Sequence, residues 1–142
     1  MPEFSLASRR RLATCHQDLQ VLCRELIAHY DITVVCGFRS REDQDAAYRA
    51  GASSLQWPDS KHNREPSWAV DLAPYEAQIR DIDWGDAKAF CVLAGRVDEV
   101  ARRLRAEGRM QHRIRWGGDW DSDGRTVDQQ LHDLPHYELI PG

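Results

Sequence analysis

The stretch Ile32-Thr33-Val34-Val35-Cys36-Gly37-Phe38-Arg39-Ser40 decides the fold class. Residues 32–36 are dense in β-branched side chains, which suit a short buried strand. Gly37 ends it. Ser40 is then placed as the N-cap of a helix over 41–50, with Asp43 at the third helical position in a near capping box. Gly51 follows as the C′ glycine that stops the helix.

Upstream, Leu12, Cys15, Leu19, Leu22, Cys23, Leu26 and Ile27 recur on a helical period and predict one helix from Ser8 to Tyr30. Downstream, residues 52–66 are polar and irregular, broken by Pro58 and Pro66. A second strand is expected over Trp68–Ala73, closed by Pro74. Phe90, Ala94, Val97, Ala101 and Leu104 form one stripe of a long helix from Asp86 to Glu107, capped by Gly108. Ile114–Trp116 reads as a third strand, a Gly- and Asp-rich loop follows, and His136–Ile140 is the last strand. Two helical blocks with scattered short strands and long loops make the chain α+β.

The chain has 142 residues, 42% hydrophobic and 30% charged, which fits one globular domain over 1–142. The net charge of −4 leaves no nucleic-acid footprint. No apolar run reaches the roughly 18 residues of a membrane span. The N-terminus has no apolar signal core, so cytosolic folding is expected. Cys15, Cys23, Cys36 and Cys91 form no C-x-x-C pair and are expected as four reduced core thiols. A Cys15–Cys23 disulfide is excluded within a straight helix, where they lie about 12 Å apart. The five tryptophans default to core packing, with Trp57 and Trp120, both in loops, as candidates for a cleft wall. The Arg-rich run 102–115 reads as the solvated face of the long helix.

Function is sought in the loops rich in His and Asp. A catalytic zinc takes three protein ligands and keeps a fourth position for water. His62, Asp71 and His136 can supply that set, and Asp133, three residues before His136, can place a carboxylate beside the water as general base. Two better-known patterns fit worse. His132-Asp133-x-x-His136 imitates H-E-x-x-H, but that motif needs a helix and Pro135 interrupts one. His62-Asn63-Arg64-Glu65 imitates an H-x-x-E pair, but Glu65 sits in a polar loop before Pro66.

Ser60-x-His62, Ala69-Val70-Asp71 and Asp133-x-x-His136-x-Glu138-Leu139 together resemble the D-alanyl-D-alanine carboxypeptidase and dipeptidase family (peptidase M15), which includes phage L-alanyl-D-glutamate endolysins. Residues 35–40 and 115–120 extend the resemblance over nearly the whole chain. It implies a hedgehog/D,D-peptidase-like fold, with an antiparallel sheet packed by helices, and a zinc peptidase acting on the bacterial peptidoglycan stem peptide. It maps the zinc ligands onto His62, Asp71 and His136 and the general base onto Asp133. Arg39 matches a family arginine that holds a substrate carboxylate or the developing oxyanion. There is one departure: His62 and Asp71 are nine positions apart, wider than in many members, so residues within 63–66 are expected to bulge outward.

Plainer readings stand beside these. Asp71 can pair with an arginine, His136 can be a satisfied core histidine, Asp133 can cap a turn, and Arg39 can pair with a structural carboxylate. His16, His29, His112 and His132 show no partner pattern and read as structural or surface residues. Asp119, Asp121 and Asp123 before Gly124 open like a calcium loop, although Gln130 stands where the bidentate Glu is expected.

The expectation is a zinc metallopeptidase, a monomeric phage or prophage endolysin held in the host cytoplasm until a separate pore releases it. A D,D-carboxypeptidase or dipeptidase with the same metal site is the alternative within enzymes. A non-catalytic zinc-containing binding domain is the alternative outside them. Asp133 discriminates, because a binding module has no need of a carboxylate beside His136.

Overall fold

The computed structural model describes residues 2–119 and 133–142. Its helices are α1 (Leu6–Leu12), α2 (Gln17–Ile27), α3 (Arg41–Arg49) and α4 (Ala87–Ala106). Its strands are β1 (Ile32–Cys36), β2 (Ala69–Pro74), β3 (Arg113–Trp116) and β4 (His136–Ile140). The strands form one antiparallel sheet in the order β1-β2-β4-β3, so the chain is α+β as expected.

The single helix expected over Ser8–Tyr30 is two. Between α1 and α2, Thr14 O accepts from Ser67 N at 2.9 Å, and His16 N donates to Ser67 O at 2.8 Å. His16 then caps α2, its Nδ1 accepting from Asp18 N at 2.9 Å. Pairing with a distant segment overrides the local period, and the break is invisible to periodicity because Cys15 stays buried through it. The other elements fall within a residue or two of expectation. Asp86 caps α4, Ser40 caps α3, and Gly51 has the positive φ of 75° that a C′ position requires.

The core lies between one face of the sheet and the helices α2 and α4. Leu19, Leu22, Cys23 and Leu26 of α2 meet Leu93, Val97, Val100 and Leu104 of α4. Below them lie Val34, Val70, Leu72, Tyr137 and Leu139 from three strands. Two cysteines depart from the core assignment: Cys36 is half-buried and Cys91 exposed, while all four thiols are free. Trp84 is exposed too and stacks on Phe90 at 5.7 Å.

His16, Asp18 and His112 gather where the α4–β3 connection meets α2. Asp18 Oδ2 accepts from Gln111 N and His112 N at 3.0 Å each and from His112 Nδ1 at 2.7 Å. That oxygen is saturated, and His16 Nδ1 is committed to its cap. The cluster is a structural tie across the chain, not an open ligand set.

Candidate active site

Strand register assembles the site. Side chains alternate between faces, so Asp71, His136 and Glu138 share the face opposite the core residues Val70, Leu72, Tyr137 and Leu139. Asp71 on β2 is the cross-strand partner of His136 on β4. One step along β4, Glu138 lies between Ala69 of β2 and Arg115 of β3. Cys36 joins this face through an irregularity. The register shifts between Val34 and Cys36, so that Val34 pairs with Leu72 but Cys36 pairs with Asp71. A bulge of this kind turns the next side chain to the other face.

His62 comes from a 3-10 turn, Lys61–Asn63, whose placement is over-determined. Ser60 and Asn63 form a reciprocal capping box across it. Asn63 Nδ2 donates to Arg39 O at 3.0 Å and to Gln44 Oε1 at 3.1 Å, and Arg39 N donates to His62 O at 2.8 Å. The turn is thereby fastened to the loop that follows β1. Asn63 is buried, so the expected outward bulge is confined to the exposed residues 64–66. Glu65 is on that exposed loop.

The two imidazoles converge on one oxygen. His62 Nε2 lies 3.1 Å and His136 Nδ1 3.3 Å from Asp71 Oδ1. The opposite nitrogen of each ring is engaged: His62 Nδ1 with Gly37 O at 2.7 Å, and His136 Nε2 with Glu138 Oε1 at 2.8 Å. A carbonyl and a carboxylate only accept, so each ring donates outward and turns its other nitrogen toward Asp71. Glu138 is itself held through Oε2 by Arg115 Nη2 at 2.7 Å and Lys61 Nζ at 3.1 Å. Arg39 Nη2 stands 3.7 Å from Asp71 Oδ2, and its Nη1 donates to Gln44 at 3.0 Å. Asp133 Oδ2 is 4.0 Å from His136 Nδ1, and its side chain is 40% exposed, so solvent reaches it.

The electrostatics are strongly coupled. Burial disfavours charge on His62, but the hydrogen bond to Asp71 and the neighbouring Cys36 overcome it and lift its pKa to about 10. His136 is raised likewise, against burial, by Asp71 and Glu138. Burial alone would raise Asp71, yet the two histidines hold it far below the usual carboxylate range. Glu138 falls to about 2, because His136 and Arg115 outweigh its burial. Asp133 moves the other way, raised by burial and by the Asp71 carboxylate.

Such a donor set suits a divalent cation. Zinc with N and O ligands at about 2.0–2.1 Å in a tetrahedron keeps donor atoms roughly 3.3 Å apart. The two nitrogen-to-oxygen spacings here are of that size. A divalent ion beside neutral imidazoles carries the same two positive charges as two imidazoliums. The outward N–H bonds to a carbonyl and a carboxylate are the orienting contacts that metal-bound histidines use.

The residues singled out in the sequence, Arg39, His62, Asp71, Asp133 and His136, line one cleft of about 780 Å³. Lys61 and Glu138, given no role by the sequence reading, also line it, as does Arg115, which was expected on the solvated face of the long helix but lies on β3 beyond the end of α4. Cys36 was missed as well: its Sγ is 3.8 Å from His62 Nδ1 and 3.9 Å from Arg39 Nη2. Period-2 reading puts Cys36 with Val34 on the core face, and only the bulge reverses that. Trp57 is half-buried and does not line the cleft; Leu55 does. Trp120, His132, Asp121 and Asp123 lie outside the described residues, and the expected calcium loop lies there with them.

The family model of the phage L-alanyl-D-glutamate peptidase matches residues 2–140. Among curated proteins nothing matches. Among solved structures, the Serratia marcescens L-Ala D-Glu endopeptidase ChiX is similar at 26% identity and a TM-score of 0.72, over 97% of this chain and 90% of that one. With nearly its whole length matched, the chain belongs to the phage L-alanyl-D-glutamate peptidase family.

Proposed function

We propose that this chain is a zinc-dependent peptidoglycan peptidase, a phage or prophage endolysin that hydrolyses the L-alanyl-D-glutamate bond of the wall stem peptide. One observation carries the reading: two buried imidazoles, each donating outward, bring their other nitrogens within 3.3 Å of a single Asp71 oxygen beside the solvent-reached Asp133. The family match and the likeness to ChiX support the choice of bond.

In this reading His62, Asp71 and His136 hold the zinc. When bound, it supplies Lewis acidity to the scissile carbonyl and acidifies a water. Asp133 takes the proton of the attacking water and returns it to the leaving amine. Asp71 faces both imidazoles, whereas the side chain of Asp133 is reached by solvent and can carry a proton. Arg39 sits behind Asp71, where its charge steadies that carboxylate and the oxyanion that develops beside it. Glu138 keeps His136 in the tautomer that turns Nδ1 inward.

The protein acts as a monomer on stem peptide, not on nucleic acid or membrane, and a separate pore releases it from the host cytoplasm. Among the described residues no helix is long and apolar enough to cross a membrane. Zinc-loaded protein incubated with purified muropeptides, with products read by mass spectrometry, tests the reading. Fragments ending in L-alanine, with a new amino terminus on D-glutamate, are expected. Intact peptides refute it, and loss of a terminal D-alanine alone reassigns the protein to the D,D-carboxypeptidases.

A further inference from the structure

Helix α3 is polar, and among its described residues Gln44 alone is buried. The helix thus buries an amide where an apolar stripe is usual. A buried amide is costly unless its polar atoms are satisfied, and here each has two partners. Gln44 Oε1 accepts from Arg39 Nη1 at 3.0 Å and from Asn63 Nδ2 at 3.1 Å. Gln44 Nε2 donates to Ser53 Oγ at 3.0 Å and to Leu55 O at 2.7 Å. A guanidinium only donates and a carbonyl only accepts, so the amide has one orientation.

The partners belong to three segments at the cleft. Arg39, Ser53 and Leu55 line it, and Asn63 closes the turn that carries His62. Arg39 depends on the contact most. Its Nη2 stands 3.7 Å from Asp71 Oδ2 and 3.9 Å from Cys36 Sγ, distances that attract without fixing a direction. The 3.0 Å bond from Nη1 to Gln44 is what sets the plane of the guanidinium. Gln44 is itself placed by the start of its helix. Ser40 Oγ accepts from Asp43 N at 3.2 Å, and Gln44 N donates to Ser40 O at 2.8 Å. The chain from Arg39 to Gln44 therefore closes on itself through the two side chains.

We propose that Gln44 is a positioning residue, which aims the Arg39 guanidinium at the oxyanion formed when the scissile carbonyl is attacked. The role rests on the proposed peptidase activity, in which Arg39 steadies that oxyanion, and deepens it. Gln44 is fully buried, so its effect on turnover passes through Arg39 and vanishes once Arg39 is gone.

Two measurements test it. The first needs no turnover. Nitrogen-15 NMR of the full chain with zinc reads rotation of the Arg39 guanidinium about its Nε–Cζ bond, the signals being identified by their loss in Arg39→Lys. Separate Nη signals are expected in wild type, and one averaged signal in Gln44→Met. Averaged signals in wild type, or separate ones in the variant, overturn the proposal. The second is a double-mutant cycle on muropeptides. Gln44→Met should lower kcat by about 10- to 100-fold with KM and zinc content near wild type, as for a misplaced transition-state contact. In an Arg39→Met background the same substitution should cost less than about 2-fold more. Losses that multiply would place the effect in the His62 turn or in folding, and overturn the positioning role alone. A wild-type kcat in Gln44→Met does the same. Muropeptides left intact by the wild type overturn the peptidase reading and the role of Gln44 with it.

Discussion

Gly117 lies directly against the backbone of Asp133, and a Cβ at position 117 would run into the Asp133 carbonyl. Gly117 O accepts from Asp133 N at 2.9 Å, and Gly117 N donates to His136 O at 2.8 Å. The glycine at the end of β3 therefore sets the path by which the chain enters the candidate base and the final strand. Gly117→Ala must push Asp133 aside. A displacement of about 1 Å at a reacting group costs on the order of 100-fold. The expected outcome is that loss in kcat/KM on muropeptides with bound zinc unchanged, read by turnover and metal analysis together.

Asp133→Ala removes the carboxylate and leaves its surroundings. Zinc content should stay at wild-type level while kcat falls by about 100- to 10,000-fold, the usual contribution of a general base. Normal turnover would remove Asp133 from the mechanism.

Glu138→Gln keeps the shape of the side chain but withdraws the charge that accepts from His136 and pairs with Lys61 and Arg115. Loss of such an orienting carboxylate weakens metal binding by roughly 10- to 100-fold. Competition with a chromophoric chelator measures it, and circular dichroism should show the fold retained. Unchanged zinc affinity would mean that His136 is oriented without Glu138.

Asp18 makes stability depend on acid. Burial raises its pKa, but the hydrogen bonds from His112 and from the backbone of His112 and Gln111 outweigh burial and hold it below its ordinary 3.8. A lowered carboxylate stabilises the fold at pH values above 3.8, and that stabilisation fades as pH falls from there through the folded value. Asp18→Asn should cost about 2 kcal/mol near neutrality, since several bonds to one charged oxygen are lost. The gap between wild type and variant should narrow as unfolding is followed down through acid. A gap that stays constant with pH would show that the charge on Asp18 is not what binds the two segments.

Tyr137 is buried, and among the described residues its hydroxyl has no partner. An unsatisfied buried hydroxyl is costly, so Tyr137→Phe should stabilise the protein by about 1 kcal/mol. Calorimetry should show the midpoint rising by roughly 4 °C, with activity unchanged. A lowered midpoint would mean that the hydroxyl has a partner.

Much of the fold was legible in sequence because the signals were local. A β-branched run gave β1, Pro74 closed β2, Ser40 and Asp86 gave helix starts, and Gly51 and Gly108 gave stops. The histidines and carboxylates of the site were legible as a set of motifs, and the structure brings all five chosen residues to one cleft. What escaped depends on contacts between distant segments. The division of α1 from α2 arises from pairing with Ser67, more than fifty residues away. Cys36 reaches the site through a bulge that alternation does not encode. Lys61 and Arg115 meet on Glu138 only because β3 lies beside β4 and the turn that carries His62 packs near them.

The alternation along β4 ties catalytic competence to correct folding. If this strand docked one residue out of step, His136 and Glu138 would be thrust among the leucines, and Tyr137 would emerge into the cleft. Such a misthreaded molecule would have no partial activity to offer, since it would lose the proposed ligand His136 and the Glu138 that orients it together. Turnover per molecule in a refolded preparation thus counts the fraction of chains whose last strand has settled correctly.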